Sequence, residues 1–267
     1  MHGNYSVKIA TFNINGIKAR LPRLLEWLEE FQPDVACLQE IKSVDEAFPR
    51  LEFEAAGWTV ETHGQKAFNG VAFISKHPIE NIKRGLPDLD GTPCEQDEQA
   101  RYIEGTIKGV RIASIYLPNG NPRPGPKFDY KLAWMDRLIA HAKLLLESEM
   151  PVVLAGDYNV IPKDIDCYNP PGWVEDALTQ PESRSRLNAI VNLGYTDALR
   201  QIKPTGACYS YWDFQRGSWQ KDNGIRIDHL LLSAQAADIL KDCSVDRIPR
   251  GKEKPSDHTP VWVELDV

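Results

Sequence analysis

The sequence predicts an α+β layered domain, with two sheets packed face to face and covered by helices. Short apolar strands recur in both halves of the chain, and helix-period segments follow some of them but not others. No Pro/Gly/Ser-rich linker separates two composition regimes, which predicts one domain over residues 1–267.

Residues 7–12 alternate and are rich enough in β-branched side chains to form a strand, which runs straight into Asn13-Ile14-Asn15-Gly16. Leu21, Leu24, Leu25 and Leu28 then share one face of a helix. Residues 34–38 are a short apolar strand ending in Gln39-Glu40. Residues 71–74, 102–107 and 110–116 are further strands, the last ending at Tyr116-Leu117-Pro118-Asn119. Between 127 and 149, Leu132, Met135, Leu138 and Ile139 recur at three- and four-residue spacing and predict a long helix. Residues 152–155 are a buried strand ending in Gly156-Asp157-Tyr158-Asn159. Arg226-Ile227-Asp228-His229 lies within 224–232, and Ser256-Asp257-His258 precedes a last strand over 260–265. Apolar strands thus deliver polar, metal-competent or proton-transferring residues at their ends.

Composition narrows the class. Hydrophobic residues at 42% and charged residues at 26% are those of an ordinary globular chain. No apolar run approaches the roughly 18 residues that a spanning helix needs. Met1-His2-Gly3-Asn4-Tyr5 lacks a basic region followed by an apolar stretch, so a cytoplasmic protein with no membrane partner is expected. Cys37, Cys94, Cys167, Cys208 and Cys243 are scattered and form no Cys-x-x-Cys pair, which argues against a disulfide framework and a zinc site. A net charge of −7 is awkward for a nucleic-acid partner. Asp88, Asp90, Glu95, Asp97 and Glu98 account for much of it in one acidic loop, so a basic footprint has to be local.

Taken singly, the strand-end residues decide little. Glu40 is readable as a solvated terminus, Asp228 as a cap and His258 as a surface histidine. Together they form a parts list. Glu40, Asn15 and Asp257 supply the oxygen donors that a hard divalent cation takes. Asp157, Asn159, Tyr116 and His258 cover water activation and charge stabilisation in phosphodiester hydrolysis.

Six motifs in order resemble the successive signatures of the exonuclease III family of apurinic/apyrimidinic endonucleases, within the exonuclease–endonuclease–phosphatase superfamily. They are Thr11-Phe12-Asn13-Ile14-Asn15-Gly16, Leu38-Gln39-Glu40, Tyr116-Leu117-Pro118-Asn119, Gly156-Asp157-Tyr158-Asn159, Ile225-Arg226-Ile227-Asp228 and Ser256-Asp257-His258. His63-Gly64-Gln65-Lys66, Gly70-Val71-Ala72 and Tyr195-Thr196-Asp197-Ala198-Leu199-Arg200 extend the likeness over nearly the whole chain.

The resemblance implies a four-layer α/β/β/α sandwich of two mainly antiparallel sheets flanked by helices. It implies Mg²⁺-dependent hydrolysis of DNA 5′ to abasic sites and trimming of 3′ ends, with Mn²⁺ expected to substitute. Glu40 would be the principal metal ligand with Asn15 and Asp257 nearby, Asp157 the general base, and Asn159 the side chain that orients it or the phosphate. His258 would contact a non-bridging oxygen, paired with Asp228. Asn13 and Tyr116 would complete the phosphate cradle, and a proton-donor role for Tyr116 stays open.

Tyr209-Ser210-Tyr211-Trp212-Asp213-Phe214, followed by Arg216 and Lys221, suits stacking or wedging beside DNA, although its aromatics also suit a core strand. The family likeness implies that Tyr211, Trp212 and Ile227 wall a pocket for a base-free sugar, small enough to exclude a normal nucleotide. Asn119, Arg101, Lys127, Arg216 and Lys221 are candidates for phosphate contacts. The expected partner is double-stranded DNA with abasic sites or blocked 3′ ends, met by a monomer. Two other readings share the core motifs: another phosphoesterase on the same scaffold, and a catalytically inactive nucleic-acid-binding relative. The Asn-Ile-Asn-Gly start and the aromatic-basic segment stand against the first, and the intact Glu40, Asp157, Asn159, Asp228 and His258 against the second.

Overall fold

The computed structural model describes residues 6–267; the first five residues, read above for a leader pattern, lie outside the described residues. The first half of the chain contributes β1 (Ser6–Asn13), α1 (Ile17–Phe31), β2 (Val35–Gln39), α2 (Arg50–Ala55), β3 (Thr59–His63), β4 (Val71–Ser75), β5 (Glu80–Arg84), β6 (Tyr102–Ile107) and β7 (Val110–Tyr116). The second half adds α3 (Pro126–Leu146), β8 (Val152–Asp157), α4 (Pro181–Asn192), β9 (Thr196–Asp197), α5 (Ala198–Ile202), β10 (Asp228–Leu232), α6 (Ala234–Asp238), β11 (Leu240–Val245) and β12 (Val261–Asp266).

These strands form two sheets of six, ordered β11-β12-β1-β2-β4-β3 and β5-β6-β7-β8-β10-β9. The pairs β1–β2 and β7–β8 are parallel and every other pair is antiparallel. A parallel pair needs a crossover, and the two long helices α1 and α3 supply one each. The mainly antiparallel sandwich implied by the family likeness is therefore what the chain forms.

The inner faces meet in one core, where Val7, Ile9, Val35 and Phe73 of the first sheet lie with Ile103, Ile112, Val153 and Leu230 of the second. On the outer faces Leu24, Trp27 and Leu28 of α1 pack on Ala10, Phe12 and Ala36. Trp134, Met135 and Leu138 of α3 pack on Ala113, Ile115 and Leu154. Sheets covered on both faces produce strands that are apolar throughout, which is why the interior strands stand out in the sequence.

A buried polar chain ties the sheets together. Thr11 Oγ1 donates to Gln39 Oε1 (3.1 Å), Gln39 Nε2 to Ser114 Oγ (3.0 Å), and Ser114 Oγ to the Leu38 carbonyl (3.0 Å). A buried donor left unpaired costs about 1–3 kcal/mol, so this chain fixes how one sheet sits on the other. Among the described residues, no helix is long and apolar enough to cross a membrane.

Candidate active site

The two parallel pairs end at the same edge of the sandwich, where ligands commonly bind in sheets with crossover helices. At the end of β1, Asn13 Oδ1 accepts the backbone N–H of Asn15 at 3.0 Å. At the end of β8, Asp157 Oδ1 accepts the N–H of Asn159 at 2.9 Å. Each is an Asx turn, a side chain standing in for the strand ladder. Asn15 and Asn159 close these turns at φ 47° and 46°, and Glu40 and Lys42 beyond β2 sit at 50° and 52°. Such conformations cost of order 1–3 kcal/mol for residues other than glycine, and they cluster where structure holds a side chain for function.

Asn13 is the hub. Its Nδ2 donates to Glu40 Oε1 and to Asp157 Oδ2, both at 2.9 Å. Lys42 Nζ lies 2.8 Å from Glu40 Oε2 and 2.6 Å from Asn15 Oδ1, while Asn15 Nδ2 donates to Asp257 Oδ1 at 2.9 Å. Burial pushes Glu40 up, but the bonds from Asn13 and Lys42 outweigh it and hold the carboxyl below its ordinary range. Glu40 and Asn15 oxygens thus already hold an ammonium, and Asp257 lies one hydrogen bond away through Asn15, together the kind of donor set a hard cation takes.

Across the cleft, His258 Nδ1 lies 2.9 Å from Asp228 Oδ2, and its Nε2 faces Asp157 Oδ2 at 3.7 Å. Ser210 Oγ donates to Asp228 Oδ2 (2.6 Å) and accepts the N–H groups of Ile227 and Asp228, both at 3.2 Å. Asp228 is held from two sides and in turn sets the imidazole's orientation. Burial disfavours a charged His258, but the Asp228 and Asp157 carboxylates prevail and raise it to about 10. Burial pushes Asp157 up to about 7 against the pull of His258. Tyr116 is half-buried at the end of β7, and burial first, then the Glu40 and Asp157 carboxylates, push its phenol well above its ordinary value, so it keeps its proton. The ligand atoms of Asp157, Asp228 and His258 also lie within 4.8 Å of one another, a geometry that could hold a cation. Asp228 and the His258 Nδ1 are already engaged with each other, so the Glu40 side suits a hard cation better.

These groups open into a cleft of about 320 Å³ lined by Glu40, Tyr116, Asn119, Asp157, Asn159, Tyr211, Ile227, Asp257 and His258, all named from the sequence. Trp212 is a correction. It is fully buried, donates Nε1–H to Asp222 Oδ1 (3.0 Å) and packs edge-on to Trp219, 4.8 Å between centroids, so it supports the segment without walling the cleft. Its neighbour Tyr211 faces the other way and sits edge-on to His258 at 5.0 Å. Arg101 also stays outside the cleft lining; its guanidinium lies over the Tyr116 ring, 4.8 Å from the centroid.

Trp173, Asp176, Leu178 and Ile225 complete the lining and were not singled out in the sequence. Lys131 was missed as well. It is buried in α3, and its Nζ donates to the carbonyls of Asn119 (3.1 Å) and Asn159 (2.5 Å), tying the loops after β7 and β8 together. A lysine on the apolar stripe of a helix, one turn from Trp134 and Met135, was the available signal.

Comparison with known proteins agrees with this geometry. Residues 10–258 match the model of the Endonuclease/Exonuclease/phosphatase family. Exodeoxyribonuclease III of Haemophilus influenzae is 33% identical over 274 residues, covering 97% of this chain and 100% of that protein. A 3′ phosphatase from Neisseria bound to a product DNA hairpin superposes with a TM-score of 0.93 at 38% identity, covering 98% of this chain and 100% of that one. An AP endonuclease from Archaeoglobus fulgidus gives 0.92 at 34% over the same shares. With the strand-end motifs assembled at one edge of the sandwich, the chain belongs to the endonuclease/exonuclease/phosphatase family, among its exonuclease III-type nucleases.

Proposed function

We propose that this nuclease hydrolyses DNA phosphodiesters 5′ to abasic sites and trims blocked or normal 3′ ends, as a cytoplasmic monomer with Mg²⁺. One observation carries the reading. Asp157 is buried at the mouth of the cleft, with its Oδ2 bonded to Asn13 and facing His258, beside the oxygen cluster around Glu40. A carboxylate raised to about 7 is tuned to take a proton from water near neutral pH.

Glu40, with Asn15 and Asp257, would hold the metal. When bound, it supplies Lewis-acid polarisation of the phosphate and charge relief at the leaving oxygen. Asp157 takes the proton of the attacking water, with Asn13 and Asn159 fixing its two oxygens. His258 stays charged through Asp228 and stabilises a non-bridging oxygen. Tyr116, its phenol protonated, donates a hydrogen bond toward the phosphate, and Asn119 and Tyr211 line the approach. The apolar wall of Leu178, Ile225 and Ile227 suits the sugar of a damaged nucleotide.

The test is cleavage of a duplex carrying one abasic analogue, with Mg²⁺, with Mn²⁺ or with EDTA, beside an undamaged duplex. Metal-dependent incision 5′ to the lesion is expected, supported by either metal and absent in EDTA. An intact lesion strand, with another phosphoester hydrolysed instead, would leave the chemistry standing and overturn the substrate. Removal of 3′ phosphates without internal incision would favour the second reading, a 3′-end enzyme, for which the Neisseria likeness at 38% identity speaks.

A further inference from the structure

We infer that a second hollow beside the cleft is a nucleobase subsite, receiving the base of a 3′-terminal nucleotide whose sugar and 5′ phosphate occupy the cleft. This rests on the 3′-trimming part of the proposed function. The hollow measures about 300 Å³, the lower end of the range that holds small ligands, and meets the cleft along Trp173, Tyr211 and Ile225.

A continuous backbone floor joins the two. Tyr168 N donates to the Gly224 carbonyl at 3.1 Å, and Ile225 and Tyr211 exchange two bonds of 3.0 Å. Tyr211 then bridges to His258. A substrate whose phosphate sits at His258 therefore finds the hollow next along the same floor.

The lining differs from that of the cleft in a way that suits a base. Tyr168, Trp173 and Tyr211 bring aromatic faces, on which any base can stack. Gln215 and Asn223 bring amides that can both donate and accept at a base edge. Glu40, Asp157 and His258 belong to the cleft lining alone. A base-free sugar needs only the cleft, whereas a normal nucleotide needs both compartments, and at a 3′ end little stacking opposes moving the base out. The apolar walls then select the sugar without rejecting a nucleotide, which revises the expectation of exclusion by size. In the reaction the water oxygen bonds to phosphorus and its proton passes to Asp157. The bond from phosphorus to the penultimate 3′ oxygen breaks, and that oxygen keeps the electron pair and takes a proton from solvent. The terminal residue leaves as a nucleoside 5′-monophosphate.

Tyr168→Ala tests this, because the half-exposed Tyr168 ring lines the hollow and not the cleft. Two rates are compared on primer duplexes: release of a normal 3′ nucleotide and removal of a 3′ phosphate, which has no base beyond the scissile bond. The ratio of the first to the second should fall about tenfold in Tyr168→Ala and stay near wild type in Tyr168→Phe, in line with the loss of one stacking face. As a binding readout, thymidine 5′-monophosphate should inhibit the wild type about tenfold more tightly than deoxyribose 5-phosphate, a gap that closes in Tyr168→Ala. An unchanged ratio, or equal losses in both rates, overturns the subsite. A wild type that removes 3′ phosphates but no nucleotides also overturns it and leaves the phosphoesterase reading intact. Loss of both activities in the wild type would instead sink the function beneath it.

Discussion

The ends of β1 and β8 are built alike and do different work. In each, a side-chain oxygen accepts the N–H two residues on, and the third residue closes the turn in the left-handed region. The middle residues Ile14 and Tyr158 are both anchored in the core. The difference is one atom, an amide nitrogen on Asn13 where Asp157 carries a second oxygen. That nitrogen donates to Glu40 and Asp157 at once and so separates two carboxylates with a neutral donor. One backbone device makes a spacer at one strand end and, in the proposed mechanism, a base at the other, according to how the side chain terminates.

The largest expected effect comes from making the turns identical. Asp157→Asn keeps the acceptor for Asn159 and removes the base, so single-turnover incision should fall about 10³-fold. Its stability should move the other way. Burial raises the Asp157 pKa to about 7, so the carboxyl's favourable contribution is full below its unfolded value and is lost as pH rises through about 7. The melting temperature of the variant relative to wild type should therefore be highest at pH 8 and decline toward pH 4. A variant that cleaves within tenfold of wild type would move the base elsewhere.

The converse change, Asn13→Asp, places a third carboxylate between Glu40 and Asp157. A loss of about 10²-fold is expected, with the acidic limb of the pH–rate profile displaced upward because like charges raise the Asp157 pKa further. A profile that keeps its shape would make Asn13 a mere spacer. Asp228→Asn spares an acceptor for His258 but removes the charge that raises it. The imidazole pKa should drop and, with it, the alkaline limb, costing roughly tenfold at pH 8; the histidine resonance titrated by NMR reads this directly. Ser210→Ala has the smallest effect on rate, changing it only a few-fold, but it removes the bond to Asp228 and the acceptor for the Ile227 and Asp228 N–H groups, so about 2–4 kcal/mol of stability should go in urea denaturation.

Which strands were visible in the sequence follows from burial. β2, β4 and β8 are buried along their whole length and stood out as apolar runs. The edge strands β5 and β11 carry Glu80, Lys83, Arg84, Lys241 and Asp242 on exposed positions and gave no such signal. Charged edges are how sheets avoid pairing with other chains, so the strands that escape notice are those at the margins. The sequence misplaces Trp212 for a related reason. Alternation along Tyr211-Trp212 indicates opposite sides but not which side is the cleft.

The sequence by itself determined that polar, proton-transferring residues terminate the interior strands, because strand cores must be apolar and chemistry is left to their ends. It also held the order of the motifs, and with it the family. Only the tertiary structure decided which ends meet. Asn13 and Asp157 bond across 144 positions, and Asp228 and His258 across 30. Nothing local encodes those partners. They follow from two parallel pairs, each closed by its own helix, whose sheets stack so that both sets of strand ends arrive at one edge. The raised Asp157 and His258 are products of that meeting, since burial and neighbouring charge exist only once the sheets have packed.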